Sequence, residues 1–297
     1  MAAAEGPDAE PQLVVTDGGV GVVAREPGPG RVLAQWRLGE HGFALTADAD
    51  GYVARYFGLC EARLDWVRSR MRVVADPSAP DGFAAVFVSG GLMAAWLALR
   101  GEVVLHASAV ARDGTAVAFC APMGGGKSTL AALACARGWR VVTDDALRAD
   151  PDATCWAGPS ELRLRANASA VAERFTDRAP TADQRIGVRT PPADGDRFAM
   201  RTVVLPLLDR DRDSVHTERL VGAGALSELT AHARTPGWRD PGIMRTQFGG
   251  LAALARAVPI VRARIPWADP PGPDALDGLL ETVPADEPSR TAARPGS

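Results

Sequence analysis

Lysine is nearly absent from this chain. Of the 33 Lys+Arg positions in 297 residues, 32 are arginine and Lys127 is the one lysine. The bias is in keeping with a GC-rich genome, and it makes the one exception informative. Cysteine is scarce too. Cys60, Cys120, Cys135 and Cys155 form no CxxC pair and have no histidine at ligand spacing, which argues against a zinc site or a disulfide framework. Cys120 and Cys135 fall in apolar runs and read as small buried thiols. No stretch approaches the roughly 18 apolar residues of a membrane span, and Gly91–Leu99 has the length of a core helix. The first residues, MAAAEGPDAEP, lack the basic and apolar regions of a signal peptide. A cytoplasmic location with no membrane partner is expected. Positive charge is not in excess either. The formal net charge is −3, which leaves no overall footprint for nucleic acid.

What is present is organised around residues 103–148. Hydrophobic content of 46% and charged content of 23% are ordinary for a globular protein, and the length suits one large or two small domains. Residues 121–128 read APMGGGKS. They match the phosphate-loop pattern GxxxxGK[ST], with Ala121 in place of the first glycine. A strand expected at Thr115–Cys120 enters the loop, and a helix expected at Ser128–Arg137 leaves it, ended by Gly138. Gly124, Gly125 and Gly126 let backbone N–H groups turn toward an anion without Cβ clashes. The helix start adds partial positive charge. Lys127 would reach the β- and γ-phosphates, and the Ser128 hydroxyl would ligate Mg²⁺. The nucleotide-binding set is Gly124, Gly125, Gly126, Lys127, Ser128 and Thr129. A compact ammonium at the loop is the point where arginine would fit poorly.

Around this core the chain reads as an α/β protein. Residues 1–11 and 284–297 are expected to be disordered. Residues 12–90 read as a small β-rich N-terminal subdomain, either short strands throughout or strands mixed with one helix near Glu61–Arg70, and residues 91–283 as the nucleotide-binding domain. Gly91–Arg100 reads as a buried helix. His106–Ala111 and Thr115–Phe119 flank Asp113-Gly114, a hairpin signal that would bring His106 and the loop to one sheet edge. Trp139–Thr143 reads as a strand ending at Asp144 and Asp145. Acidic residues there suit a Walker B arrangement, one carboxylate for Mg²⁺ and one for a hydroxyl, though a helix N-cap would use them as well. Glu161, Arg163 and Arg165 alternate with leucines as in a strand, with a helix at Ala168–Phe175. Residues 176–200 read as a mobile polar loop, a lid or a plain surface insertion. Arg201–Leu208 reads as a strand with Val215–Leu220 as its partner. Helices at Gly224–Ala233, Ile243–Ala257 and Pro273–Thr282 and a strand at Ile260–Ile265 complete the chain, and no internal repeat is evident.

The order Leu-His-Ala-Ser-Ala-Val, hairpin, phosphate loop, helix, Arg-Val-Val-Thr-Asp-Asp resembles the catalytic core of the HPr kinase/phosphorylase family over about residues 100–150. The resemblance thins out through about residue 265. It implies a phosphoenolpyruvate-carboxykinase-like fold with a P-loop core, ATP and Mg²⁺ as cofactors, and phosphorylation of a serine hydroxyl. It implies His106 as the active-site histidine, Lys127 and Ser128 as the phosphate and Mg²⁺ groups, Asp144 as general base and Asp145 as a metal-linked carboxylate, with the two aspartates open to exchange. The family's Glu-x-Arg-Gly motif is matched by Glu161-Leu162-Arg163-Leu164, without the glycine, so the resemblance leaves phosphorylase activity and HPr as substrate open. Relatives of this kind also tailor ribosomally made peptides, so the expected partner is a peptide or small protein, and family habit implies a homo-oligomer. Arg163 and Arg245 are the arginines proposed to stabilise the transferring group. His41, His216 and His232 read as structural. Two other readings stay open, a nucleotide-binding regulatory protein without transfer and a small-molecule kinase or ATPase.

Overall fold

Period-two burial builds the first part of the chain. The computed structural model describes residues 13–234, 237–266 and 273–282. The two segments expected to be disordered fall outside them. The chain divides into two compact units, Met1–Ala95 with Thr235–Arg245, and Trp96–Arg234 with Thr246–Ser297.

In the first unit six strands form one sheet. They are β1 (Val14–Val20), β2 (Arg31–Leu38), β3 (His41–Asp48), β4 (Gly51–Tyr56), β5 (Cys60–Asp65) and β6 (Arg70–Ala75), in the order β1-β6-β5-β4-β3-β2. Strands β2 to β6 are an antiparallel meander, and β1 joins β6 in parallel. Of the two readings open for Glu61–Arg70, strands hold and the helix does not: the stretch is β5, a turn and the start of β6. Cys60, Ala62 and Leu64 are buried while Glu61 and Arg63 point away, a strand's period rather than a helix's. The free edge of β2 is lined by a returning segment: Gln35 N–H donates to Gly237 O at 2.9 Å and Arg239 N–H to Leu33 O at 2.7 Å. That pairing explains why residues 237–245 group with a sheet formed two hundred residues earlier. Helix α1 (Phe83–Phe87) packs its aromatic rings edge-on against Tyr56 and Phe43. A π-helical stretch, Val88–Leu92, carries it into α2 (Met93–Leu99), so the helix expected at Gly91–Arg100 begins earlier and in three registers.

The second unit is a mixed α/β body. Its elements are β7 (Val103–Leu105), β8 (Ala107–Arg112), β9 (Thr115–Cys120), α3 (Lys127–Cys135), β10 (Arg140–Thr143), β11 (Leu147–Ala149), β12 (Thr154–Trp156), β13 (Glu161–Leu164), α4 (Ser169–Ala172), β14 (Arg178–Pro180), β15 (Ile186–Arg189), β16 (Arg197–Asp209), β17 (His216–Leu220), α5 (Gly222–Ala231), α6 (Pro241–Ala257), β18 (Ile260–Pro266) and α7 (Pro273–Thr282). Nine strands form the main sheet along β10-β8-β9-β16-β12-β11-β7, with β18 parallel to β16 and β17 on β18. Alternation sorts the side chains to two faces. Ala116, Ala118 and Cys120 share a cluster with Leu229 of α5 and Leu251 and Leu254 of α6, while Val117 and Phe119 share one with Leu130 and Leu133 of α3 and Leu276 and Leu279 of α7. Small residues on one face and large ones on the other let helices cover both.

Two expectations change here. Residues 176–200 are not a structureless loop: β14 and β15 form a hairpin beside β13 in a separate three-stranded sheet. Buried Gly187 and Val188 hold it down. Strand β17 pairs with β18 rather than with β16, because the flanks of β16 are taken by β9 on one side and by β12 and β18 on the other. Among the described residues, no helix is long and apolar enough to cross a membrane.

Two neighbouring glycines of α6 should respond in opposite ways. A Cβ on Gly250 would lie 2.3 Å from Val103 Cγ2, whereas one on Gly249 would meet nothing within 4 Å. Gly250→Ala should lose about 1–3 kcal/mol to overpacking, and Gly249→Ala should gain up to about 1 kcal/mol of helix propensity. Urea denaturation of the two variants checks the sign of each.

Candidate functional site

The site begins with a turn. Asp113 and Gly114 take φ of 54° and 76°, the left-handed pair that a two-residue hairpin needs. The resulting register sets Ala107 opposite Cys120 and Val110 opposite Val117. His106, one residue before β8, is thereby level with Ala121, the first loop residue. Strand β10 also runs antiparallel to β8, so β9 and β10 point the same way. Their C-terminal ends, carrying the glycine loop and the Asp144-Asp145 pair, lie at one edge of the sheet.

The loop is shaped by its glycines. Gly124 and Gly126 have φ of 84° and 86°, and Gly126 is the residue from which α3 springs. Gly125 N–H donates to Pro122 O at 3.0 Å, and Leu130 N–H to Gly126 O at 2.8 Å. The Ala121 substitution has a counterpart: a Cβ on Gly125 would stand 2.6 Å from the Ala121 Cβ. The α3 N-terminus has no side-chain cap and no acidic residue in its first turn, so its first amides have no side-chain anion. Ser128 and Thr129 are half-buried in that turn. Lys127 is buried and folds back, its Nζ donating to Ala121 O at 2.8 Å and Pro122 O at 3.2 Å. Burial pushes its pKa down, while the charges of Asp144 and Asp145 oppose that shift. The exposed Arg165 guanidinium carbon lies 3.9 Å from where a Gly124 Cβ would sit.

The two aspartates have different surroundings. Asp144 is buried and receives hydrogen bonds from three elements: the Ser108 hydroxyl of β8, the Ser128 hydroxyl of α3 at 2.9 and 3.1 Å, and the Arg163 N–H of β13 at 2.9 Å. Asp145 has a left-handed φ of 76°, costly for a non-glycine residue and typical of functional sites. Its carboxylate meets His106 Nδ1 at 3.1 Å, Arg234 Nη2 at 2.8 Å and Arg163 Nη2 at 3.3 Å. Burial by itself would raise the Asp145 pKa, but His106, Arg234 and Arg163 hold it far below the usual carboxylate range. Among the described residues, no three His, Cys, Asp or Glu side chains group as a metal cage. Ser128 and Asp144 offer hard oxygen ligands beside the loop, which fits Mg²⁺, an ion commonly held by one or two protein groups plus phosphate oxygens.

His106, Lys127, Ser128, Asp144, Asp145 and Arg163 are therefore drawn together. Glu161 is not part of this cluster and pairs with Arg189 at 3.4 Å across the small sheet. Arg245 lies exposed on α6 and groups with the first unit. Three residues enter that motif reading gave no role, Ser108, Arg165 and Arg234, and His232, read as structural, stands beside them. Strand alternation puts Ser108 on the same face as Val110, toward α3, a signal the sequence did contain. Arg234 and His232 arrive through a short ladder. His106 N–H donates to His232 O and Arg234 N–H to Val104 O, both at 2.7 Å, with Leu105 facing Ala233. A pairing across more than a hundred residues leaves no local mark. His232 is buried, and burial lowers its pKa, with the nearby Lys127 and His106 charges adding to that and Glu228 opposing it.

No family model and no curated protein sequence matches this chain. Among solved structures it is distantly similar to the Hpr(Ser) kinase/phosphatase from Coxiella burnetii, at 12% identity and a TM-score of 0.30, over 61% of this chain and 92% of that one. A likeness so faint carries no argument about the chemistry.

Two outcomes follow from the geometry. Gly125→Ala should destabilise the protein by about 1–3 kcal/mol through the clash with Ala121, and adding Ala121→Gly should recover part of that loss; thermal melts of the single and double variants decide it. Asp145→Asn leaves His106, Arg163 and Arg234 without their shared anion and should cost about 3–5 kcal/mol at pH 7. Because the folded Asp145 pKa is depressed, its contribution is present above the ordinary carboxylate pKa and fades as pH falls below it. The gap between wild type and variant in urea should thus persist at pH 5 and narrow below about pH 4.

Proposed function

We propose that this protein is an ATP-dependent phosphotransferase that delivers the γ-phosphoryl group to a serine hydroxyl on a peptide or small protein, in the manner of HPr-kinase-like enzymes. The observation that carries the reading is the Ser128–Asp144 pair set beside a glycine loop that opens an uncapped helix bearing the chain's one lysine. Loop amides, the helix start and Lys127 supply positive potential for phosphates. Arg165, close to Gly124, adds an exposed cation at the same loop.

Phosphoryl transfer asks the protein for positioning and charge neutralisation more than for covalent chemistry. Mg²⁺, when bound with the nucleotide, supplies neutralisation between the phosphate oxygens. The bonds of the Ser128 hydroxyl to Asp144 favour these two as the protein's metal-linked groups. That arrangement exchanges the two aspartate roles implied by the family resemblance. Asp145, held far below the usual carboxylate range, is a weak base. Its contact with His106 Nδ1 instead orients the imidazole, which leaves the other ring nitrogen to accept the hydroxyl proton. In this reading the arginines that stabilise the transferring group are Arg163 and Arg234, both paired with Asp145.

The test is ATP turnover with Mg²⁺, alone and with serine peptides. Lys127→Ala and Asp144→Asn should each lower acceptor-dependent turnover by about 10²–10³-fold, the usual cost of one electrostatic group aimed at the transition state. Tight ATP binding that needs Lys127, with no transfer to any acceptor, would favour a binding-only regulatory protein. Absence of nucleotide binding would overturn the reading altogether.

A further inference from the structure

Arg234 holds a buried donor with no partner among the described residues. Its Nη2 donates to Asp145 at 2.8 Å, yet its Nε–H is buried with no hydrogen-bond partner among the described residues. A buried donor left unmade costs about 1–3 kcal/mol, more when charged, so such groups tend to be kept for a ligand or a catalytic role. Its backbone is pinned, since Arg234 N–H donates to Val104 O and His106 N–H to His232 O, both at 2.7 Å. The arginine therefore keeps a defined place relative to His106. It is also close enough to Lys127 for their charges to act on each other. Lys127, Arg163 and Arg234 thus stand around two carboxylates, Asp144 and Asp145. Arg163 is already divided between Asp145 and Asp183. Arg234 has the donor to spare.

We propose that Arg234 is a catalytic arginine whose Nε–H donates to a non-bridging oxygen of the nucleotide's γ-phosphoryl group, with Asp145 as the positioning residue that holds the guanidinium through Nη2. This rests on the nucleotide reading of the same site. In the step it serves, the bond between the γ-phosphorus and the β–γ bridging oxygen breaks and ADP keeps the electron pair. The bond from the acceptor's hydroxyl oxygen to that phosphorus forms, and the hydroxyl proton passes to His106. Arg234 is itself unchanged and follows the charge that spreads over the γ-oxygens. Because it touches only the γ-phosphoryl group, it discriminates ATP from ADP rather than binding nucleotides in general.

The experiment is calorimetric titration of the full chain with Mg²⁺ and three probes: ADP, ATP, and ADP with aluminium fluoride. Wild type is compared with Arg234→Ala, Arg234→Lys and Lys127→Ala. Arg234→Ala should bind ADP within about twofold of wild type and lose about 10-fold or more of the preference for ATP, the worth of one charge-assisted hydrogen bond. Its affinity for ADP with aluminium fluoride should fall further still, and added ethylguanidinium should restore part of it. Arg234→Lys keeps a cation beside Asp145 but lacks the planar fork, so it should stay folded and remain defective. A merely structural arginine would be rescued by lysine. Wild-type discrimination in Arg234→Ala or Arg234→Lys, with Lys127→Ala losing nucleotide, would overturn the role of Arg234 and leave the nucleotide reading intact. Wild-type protein that binds none of the probes would sink both.

Discussion

A carboxylate withdrawn from water must be supplied with donors, and Asp144 draws them from three separate elements. Ser108 comes from β8, Ser128 from the first turn of α3 and the Arg163 amide from β13. With strand β10, which ends one residue before Asp144, four elements are tied to one point. None of them could shift by an ångström without leaving a buried charge short of a partner. The phosphate-type loop depends on this anchor, because α3 fixes the loop's exit and Ser128 fixes α3. The hairpin β8–β9 depends on it as well, since Ser108 and the loop entry at Cys120 belong to its two strands.

The second aspartate does something different with the same chemistry. Asp145 gathers cations rather than neutral donors, and its left-handed backbone is the geometric cost of facing them. Neighbouring residues on one strand end thus divide the labour. One carboxylate is saturated with hydroxyls and an amide beside the loop, and the other orders a histidine and two arginines. Arg163 spans them, giving its backbone N–H to Asp144 and its side chain to Asp145. Such a cluster is nearly neutral without a ligand, which keeps its desolvation tolerable.

Local chemistry was legible wherever one element or one turn carries it. Asp113-Gly114 announces a hairpin because its backbone angles suit few other residues. The glycines of APMGGGKS mark a loop where Cβ atoms cannot fit, and Gly125 is required because Ala121 occupies the space a first glycine would leave. The stretches that local chemistry left open or misread share a cause. The Glu61–Arg70 stretch has enough charge to pass for an exposed helix, and only its burial alternation reveals two strands. Residues 176–200 look too polar for a sheet. A hairpin with few buried residues, Gly187 and Val188 among them, needs no more apolar content than that.

By itself, the sequence determined the strand–loop–helix at Lys127, the acidic pair at the end of the next strand and the α/β character of the second half. Each is a matter of residues close in the chain, whose sterics and hydrogen-bonding capacity act locally. Only the tertiary structure decided which side chains face the aspartates. Arg234 and His232 reach the site by pairing with residues 104–106, Ser108 by the face its strand presents, and Arg163 by the docking of a separate small sheet. Their identity as partners is a property of distances between elements, set by where buried charge and unpaired backbone groups find satisfaction, and no spacing along the chain encodes it.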